Sequence, residues 1–105
     1  VTHNGTIDER TTEMRESMVE MQVPEHLRGP LLRYITHGYR PGDFLVCVLR
    51  NSLFESIQSA SPASYEGLPA VMRWLWWNAP AHSWGSPDRV GKWIMNGGLN
   101  GELNR

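Results

Sequence analysis

Phe44-Leu45-Val46-Cys47-Val48-Leu49 is an unbroken apolar run, and whether it is strand or helix decides the fold class. A run this short carries neither a helical nor an alternating signature, so periodicity alone allows a buried strand. A strand needs a partner, however, and no second run of strand type occurs in the chain. We therefore read helix, with Phe44, Val48 and Leu49 facing a core and Leu53, Phe54 and Ile57 continuing the stripe past a break at Arg50-Asn51-Ser52. Gly38-Tyr39-Arg40-Pro41-Gly42 is the turn that precedes it, and Asp43 is placed to cap it. On sequence alone the strand alternative for residues 44–49 stays open.

Helical signals lie on both sides of this run. Upstream, Ile7, Thr11, Met14, Met18 and Met21 recur at steps of four and three, which predicts a helix over residues 8–22. Thr6 and Glu9 form a capping-box pattern before it, and Val23-Pro24 ends it. A second helix ends at His37, where Gly38 suits a left-handed cap; Leu27, Leu31, Tyr34 and Ile35 are its apolar stripe. Pro30 fits that helix in its first turn, which leaves residues 30–37 as the firm part.

Downstream, Ser61-Pro62 and Ser86-Pro87 both pair a capping serine with proline at the first helical position. The first opens a helix that runs to Asn78, with Leu68, Val71, Met72 and Leu75 inward and Pro69 limiting its regular part to residues 66–78. The second opens a helix in which Val90, Trp93 and Ile94 pack inward and Gly97-Gly98 ends it. The tail beyond lacks a hydrophobic period. The expected architecture is one compact all-α domain of four or five short helices. It divides into an acidic amphipathic helix over residues 1–22, a helical core over 23–97 and a flexible tail over 98–105. Its predicted centre is Leu31, Ile35, Phe44, Val48, Leu53, Ile57, Val71, Leu75, Val90, Trp93 and Ile94.

Composition agrees with a single globular unit. The chain has 105 residues, 40% of them hydrophobic, one Cys and a formal net charge of −1. It holds no run of about 18 apolar residues to span a membrane, and the polar start Val1-Thr2-His3-Asn4-Gly5 is unlike a signal peptide. A cytoplasmic setting is the expectation, and a lone Cys excludes a disulfide scaffold. Residues 1–25 carry a net of −4 and residues 26–105 a net of +3. Lys92 is the single lysine among ten bases, which disfavours a protein that coats nucleic acid by diffuse phosphate contacts.

Catalytic and cofactor signatures are missing. The histidines His3, His26, His37 and His82 have no ligand-pair spacing, and Cys47 sits inside the apolar run, so neither a metal nor a nucleophile is predicted. No phosphate-loop or dinucleotide fingerprint occurs, and no cofactor is expected. The expectation is a protein that binds and is not an enzyme.

Aromatic and cationic residues then carry the functional reading. Trp74, Trp76 and Trp77 fall within four residues of one helix, so at 100° per residue they cannot share one face. Two segments combine cations, aromatics and helix ends: Arg33, Tyr39 and Arg40 around one helix terminus, and Trp77, His82, Trp84 and Ser86 around the start of another. These seven residues are the candidate ligand-binding surface, because Trp and Arg are the residue types enriched where proteins bind. The Met14, Met18 and Met21 seam is the candidate subunit interface, an adaptable apolar face on a charged helix.

The pattern Val23-Pro24-Glu25-His26-Leu27, Arg33-Tyr34-Ile35, His37-Gly38, Pro41-Gly42-Asp43-Phe44-Leu45, Val48-Leu49, Asn51, Trp84-Gly85-Ser86 and Trp93 resembles small helical accessory proteins encoded by bacteriophages and prophages. The resemblance covers about residues 23–97, and Ser52 departs from it where an Asp is expected. It implies a phage protein acting in the bacterial cytoplasm, with an anti-defence role as one expectation. Such a protein would sequester a small anionic, nucleotide-like ligand, probed by aromatic stacking and arginine, or bind and block a host protein. A nucleic-acid-binding regulator is the weaker third reading. A ligand site in so small a domain is expected between subunits of a homo-oligomer.

Overall fold

The decisive run is helical. In the computed structural model, which describes residues 7–104, Asp43–Leu49 forms an α-helix and no described residue is in a strand. In chain order the helices are α1 (Ile7–Glu20), α2 (Glu25–His37), α3 (Asp43–Leu49), α4 (Leu53–Ser59), α5 (Pro62–Asn78), α6 (Pro87–Asn96) and α7 (Gly98–Leu103), with a 3-10 turn at Ala81–Ser83 between α5 and α6. The all-α expectation holds, but the described residues carry seven helices where four or five were expected.

Two backbone features account for the extra helices. Asn51 adopts a φ of 65°, and Ser52 N–H donates to the Cys47 carbonyl at 2.9 Å. That is the wrap-around ending of a helix on a left-handed residue, which Asn tolerates better than most. Residues 43–59 therefore form two short helices. At the other end Gly97 and Gly98 take φ values of 79° and 64°, and the chain turns into α7. The flexible tail expected over residues 98–105 is thus corrected: residues 98–103 are helical, with Gly98 and Leu99 buried. No apolar period announced α7 because its contact is largely backbone. A Cβ on Gly98 would lie 2.6 Å from the Gly38 amide nitrogen and 2.8 Å from that of His37.

Several predicted signals are present as read. Ser61 and Ser86 cap α5 and α6, their hydroxyls accepting from Ser64 N–H at 3.1 Å and Arg89 N–H at 3.2 Å, each with proline at the first helical position. Gly38 ends α2 at φ 72°. Others differ. Asp43 makes no cap hydrogen bond; Gly42 occupies the cap position of α3. Pro30 and Pro69 lie inside unbroken helices. The carbonyls they deprive of a partner belong to His26 and Tyr65, both exposed residues that water can serve. Thr6, the expected cap of α1, and His3 lie outside the described residues.

The core gathers Met18, Val23, Leu31, Tyr34, Ile35, Leu45, Leu49, Val71, Trp74, Leu75 and Trp93, all nearly or fully buried. Phe44, Val48 and Val90 are buried as expected, and Ile94 is half-buried against them. Leu53 and Ile57 are not core: α4 turns them outward together with Phe54 and buries only Ser56. The break at Asn51 rotates the second helix relative to the first, so a stripe extrapolated across it meets solvent. The methionine seam goes the opposite way. Met14 and Met18 are buried within this chain and Met21 is half-buried against the core, so the predicted subunit face is occupied by the protein's own packing. The Trp74 indole N–H fixes α1 to α5 by donating to Ser17 Oγ at 2.8 Å.

Candidate functional site

Where α5 ends, the chain folds back across its last turn, and a cleft of about 300 Å³ opens between Trp76, Ala79, Ala81, Trp84, Gly85 and Arg89. Three local causes shape it. Pro80 directs the chain into the 3-10 turn, where Ser83 is buried and its hydroxyl donates to the Pro80 carbonyl at 2.7 Å. Gly85 takes φ 114°, a conformation glycine adopts without a Cβ clash, and its N–H donates to the Leu49 carbonyl at 2.7 Å. Ser86 then starts α6, bringing Arg89 back over the loop.

The cleft combines two indoles and a guanidinium. The Trp76 and Trp84 rings meet edge to face, their centroids 6.5 Å apart and their planes 75° from parallel. Arg89 Nη1 donates to the carbonyls of Ala81 at 3.2 Å and Trp84 at 3.3 Å. Its Nε and Nη2 make no hydrogen bond among the described residues, and no carboxylate lines the cleft. A Cβ at Gly85 would stand 3.1 Å from Arg89 Nη1, so the absence of a side chain there lets the guanidinium lie close. Chemically the cleft offers aromatic faces and edges, a small apolar floor and unspent cationic donors.

Of the seven predicted ligand residues, Trp84 lines this cleft and Ser86 holds its α6 wall. Trp77 is exposed on the next position of α5 but outside the lining. His82 also lies outside it: Nε2 is 2.7 Å from Glu102 Oε2, and the ring meets the edge or face of Trp93 at 5.3 Å. The other three belong elsewhere. Tyr39 stacks on His37 with centroids 5.5 Å apart, Arg40 lies 3.6 Å from Asp43, and Arg33 is exposed on α2. Arg40 borders a separate open depression with Asp43, Cys47, Arg50 and Glu55. None of these three lines the tryptophan cleft, and no hydrogen bond, ion pair or ring contact among the described residues ties them to its lining, so the two predicted segments form two places.

Sequence reasoning passed over Trp76 and Arg89. Trp76 lies four residues after Met72, on the side of α5 over which the proline-led loop returns. Arg89 is the third residue of a helix with a clear Ser-Pro start, from which a long side chain reaches the loop before it. Among the described residues no group of three or more His, Cys, Asp or Glu side chains could hold a metal. No helix among them is long and apolar enough to cross a membrane. No family model, no curated protein and no solved structure matches the chain.

Proposed function

We propose that this protein acts by binding and not by chemistry, and that the Trp76, Trp84 and Arg89 cleft takes a small planar anion of nucleotide type. The observation that carries this reading is the pairing of two accessible indoles with a guanidinium whose Nε and Nη2 donors are unspent. A base stacked on an aromatic ring contributes about 1–3 kcal/mol, and a hydrogen bond to a charged group about 1.5–3 kcal/mol. The volume is at the lower end of small-molecule sites, which suits a mononucleotide better than a larger cofactor. A phage-encoded protein that sequesters a nucleotide signal in the bacterial cytoplasm is the biological setting of this proposal.

A second reading, an inhibitor that binds a host protein, is favoured by Trp77, which is 73% exposed beside the cleft without lining it. Native mass spectrometry of the protein purified from a bacterial lysate separates the two. A co-purifying small anion supports sequestration, and a stoichiometric host protein with no small molecule supports inhibition. Calorimetry with mononucleotides gives the direct test, and no heat at millimolar nucleotide would overturn the first reading.

A further inference from the structure

Helix α5 has two apolar faces. Gly67, Val71, Trp74 and Leu75 form the buried one. Tyr65, Leu68, Met72 and Trp76 follow at steps of three and four along a second. Leu53 of α4 meets this second stripe, sharing a depression with Leu68 and Met72. The exposed large apolar side chains of α4 and of this stripe are Leu53 at 67%, Phe54 at 74%, Ile57 at 44%, Tyr65 at 56% and Trp76 at 70%. At roughly 150–250 Å² per aromatic side chain and somewhat less for Leu and Ile, these amount to roughly 600 Å² per copy, before Leu68, Pro69 and Met72 are added. A monomer rarely exposes a larger apolar patch, and a standard interface takes about 800 Å² from each partner.

Glu66 and Arg73 edge the stripe on the side away from α4, since at 100° per residue they fall within about 20° of each other on the helix. Both are exposed, and neither forms an ion pair among the described residues. The face therefore carries one charge of each sign, separated along the helix axis.

We infer that this face pairs with the same face of a second copy, the two α5 helices antiparallel about a twofold axis near residues 69 and 70. That symmetry places Glu66 opposite the partner's Arg73 and Arg73 opposite the partner's Glu66. It sets Leu68 against the partner's Met72, and Tyr65 toward the partner's Trp76. A twofold axis lying in the interface keeps α4 on the same side in both copies, so Leu53, Phe54 and Ile57 meet their counterparts. A parallel pairing, with the twofold along α5, would exchange the two edges, set Glu66 and Arg73 against the partner's α4 edge and form neither charge pair. The balanced charges favour no partner of a single sign, and a self-complementary patch closes as a dimer without propagating. The inference does not depend on a nucleotide, because of the cleft residues only Trp76 belongs to this face.

Sedimentation equilibrium of the full chain tests it. The wild type is expected at twice the 12.0 kDa chain mass. Glu66→Arg or Arg73→Glu alone replaces two attractive pairs with two repulsive ones and should weaken the dimer about tenfold. An equimolar mixture of these two variants restores every attractive pair and should associate as tightly as the wild type. So should the double variant E66R/R73E. Leu53→Asp combined with Ile57→Asp should give a monomer with an unchanged circular dichroism spectrum. A wild type that stays monomeric, or that appears only bound to a different protein, overturns the inference. A dimer insensitive to the charge variants, or a mixture that fails to recover, overturns this pairing.

Discussion

The Tyr34 hydroxyl donates to the main-chain carbonyl of Ser83 across 2.6 Å, joining the middle of α2 to the turn that carries the wall of the cleft. Tyr34 is fully buried, and its own carbonyl accepts from the Trp93 indole N–H at 2.9 Å. One residue thus ties α2, the 3-10 turn and α6 together. The exposed rings of the cleft rest on a buried polar relay, alongside the packing of Trp84 on the core.

Removing the phenolic oxygen tests this dependence. Tyr34→Phe keeps the ring but leaves the Ser83 carbonyl without its donor, which for a buried acceptor costs about 1–3 kcal/mol. Urea denaturation should show a lower midpoint with an unchanged slope. A cost within experimental error would mean that water replaces the hydroxyl and that the turn is held by other contacts.

The same hydroxyl sets an alkaline limit. Burial pushes the Tyr34 phenol above its ordinary value of 10.0, because the phenolate would lose its hydration. The folded-state pKa is raised, so the contribution is fully present below about pH 10 and is lost as pH rises from there through the folded value. The unfolded chain ionises first, and stability falls by up to about 1.4 kcal/mol per pH unit in that window. Comparing wild type with Tyr34→Phe between about pH 9 and about pH 11 isolates this group, since the phenylalanine variant should lack this part of the decline.

Helix starts, turns and most of the core were legible because each has a local cause: Ser61-Pro62, Ser86-Pro87 and Gly38 dictate backbone geometry whatever surrounds them. The outward face of α4 was not, because it depends on the rotation introduced at Asn51, and left-handed asparagine is optional where left-handed glycine is common. The inward turn of Met14 and Met18 depends on α2 and α5 packing against α1, a tertiary fact that a charged, methionine-bearing stripe does not announce. The site was half legible for a similar reason. Trp84 and Ser86 follow from the loop and its cap, whereas Trp76 and Arg89 join them only through the fold-back at Pro80.

If the α1 methionines are core, shortening one should unfold the protein and not change its mass. Met18→Ala removes a fully buried side chain, and such truncations cost about 2–5 kcal/mol. Ser17→Ala, which deprives the Trp74 indole of its acceptor, should cost about 1 kcal/mol. Thermal unfolding gives both values. A Met18→Ala variant of normal stability that sediments at a new mass would restore the seam to a subunit contact.

Replacing Gly98 should be costly. Its φ of 64° disfavours any side chain, and a Cβ would stand 2.8 Å from the Ile35 carbonyl oxygen as well as against the Gly38 and His37 amides. Gly98→Ala should therefore destabilise by about 2 kcal/mol or more, through strain and displacement of α7. Gly91, exposed on α6 with open space around its Cβ position, is the control. Gly91→Ala should leave stability unchanged or raise it by up to about 1 kcal/mol.

The cleft predicts a difference between neighbouring tryptophans. Trp84 lines it and Trp77 does not, although Trp77 is the more exposed of the two. Calorimetric titration with a mononucleotide should show Trp84→Ala weakening binding by at least about tenfold, since 1.4 kcal/mol is a factor of ten and a stacked base contributes about that or more. Trp77→Ala should bind as the wild type does. Trp84 also packs on the core, so a second variant separates the ligand contact from the loop. Arg89→Lys is the companion variant, keeping the charge while removing the planar guanidinium whose Nη1 holds the Ala81 and Trp84 carbonyls and whose Nε and Nη2 remain for an anion. It should lower affinity for a phosphate-bearing ligand more than for the corresponding nucleoside. Equal losses for both ligands would show that Arg89 serves the loop and makes no contact with the anion, and a stronger effect at Trp77 than at Trp84 would move the site off the cleft.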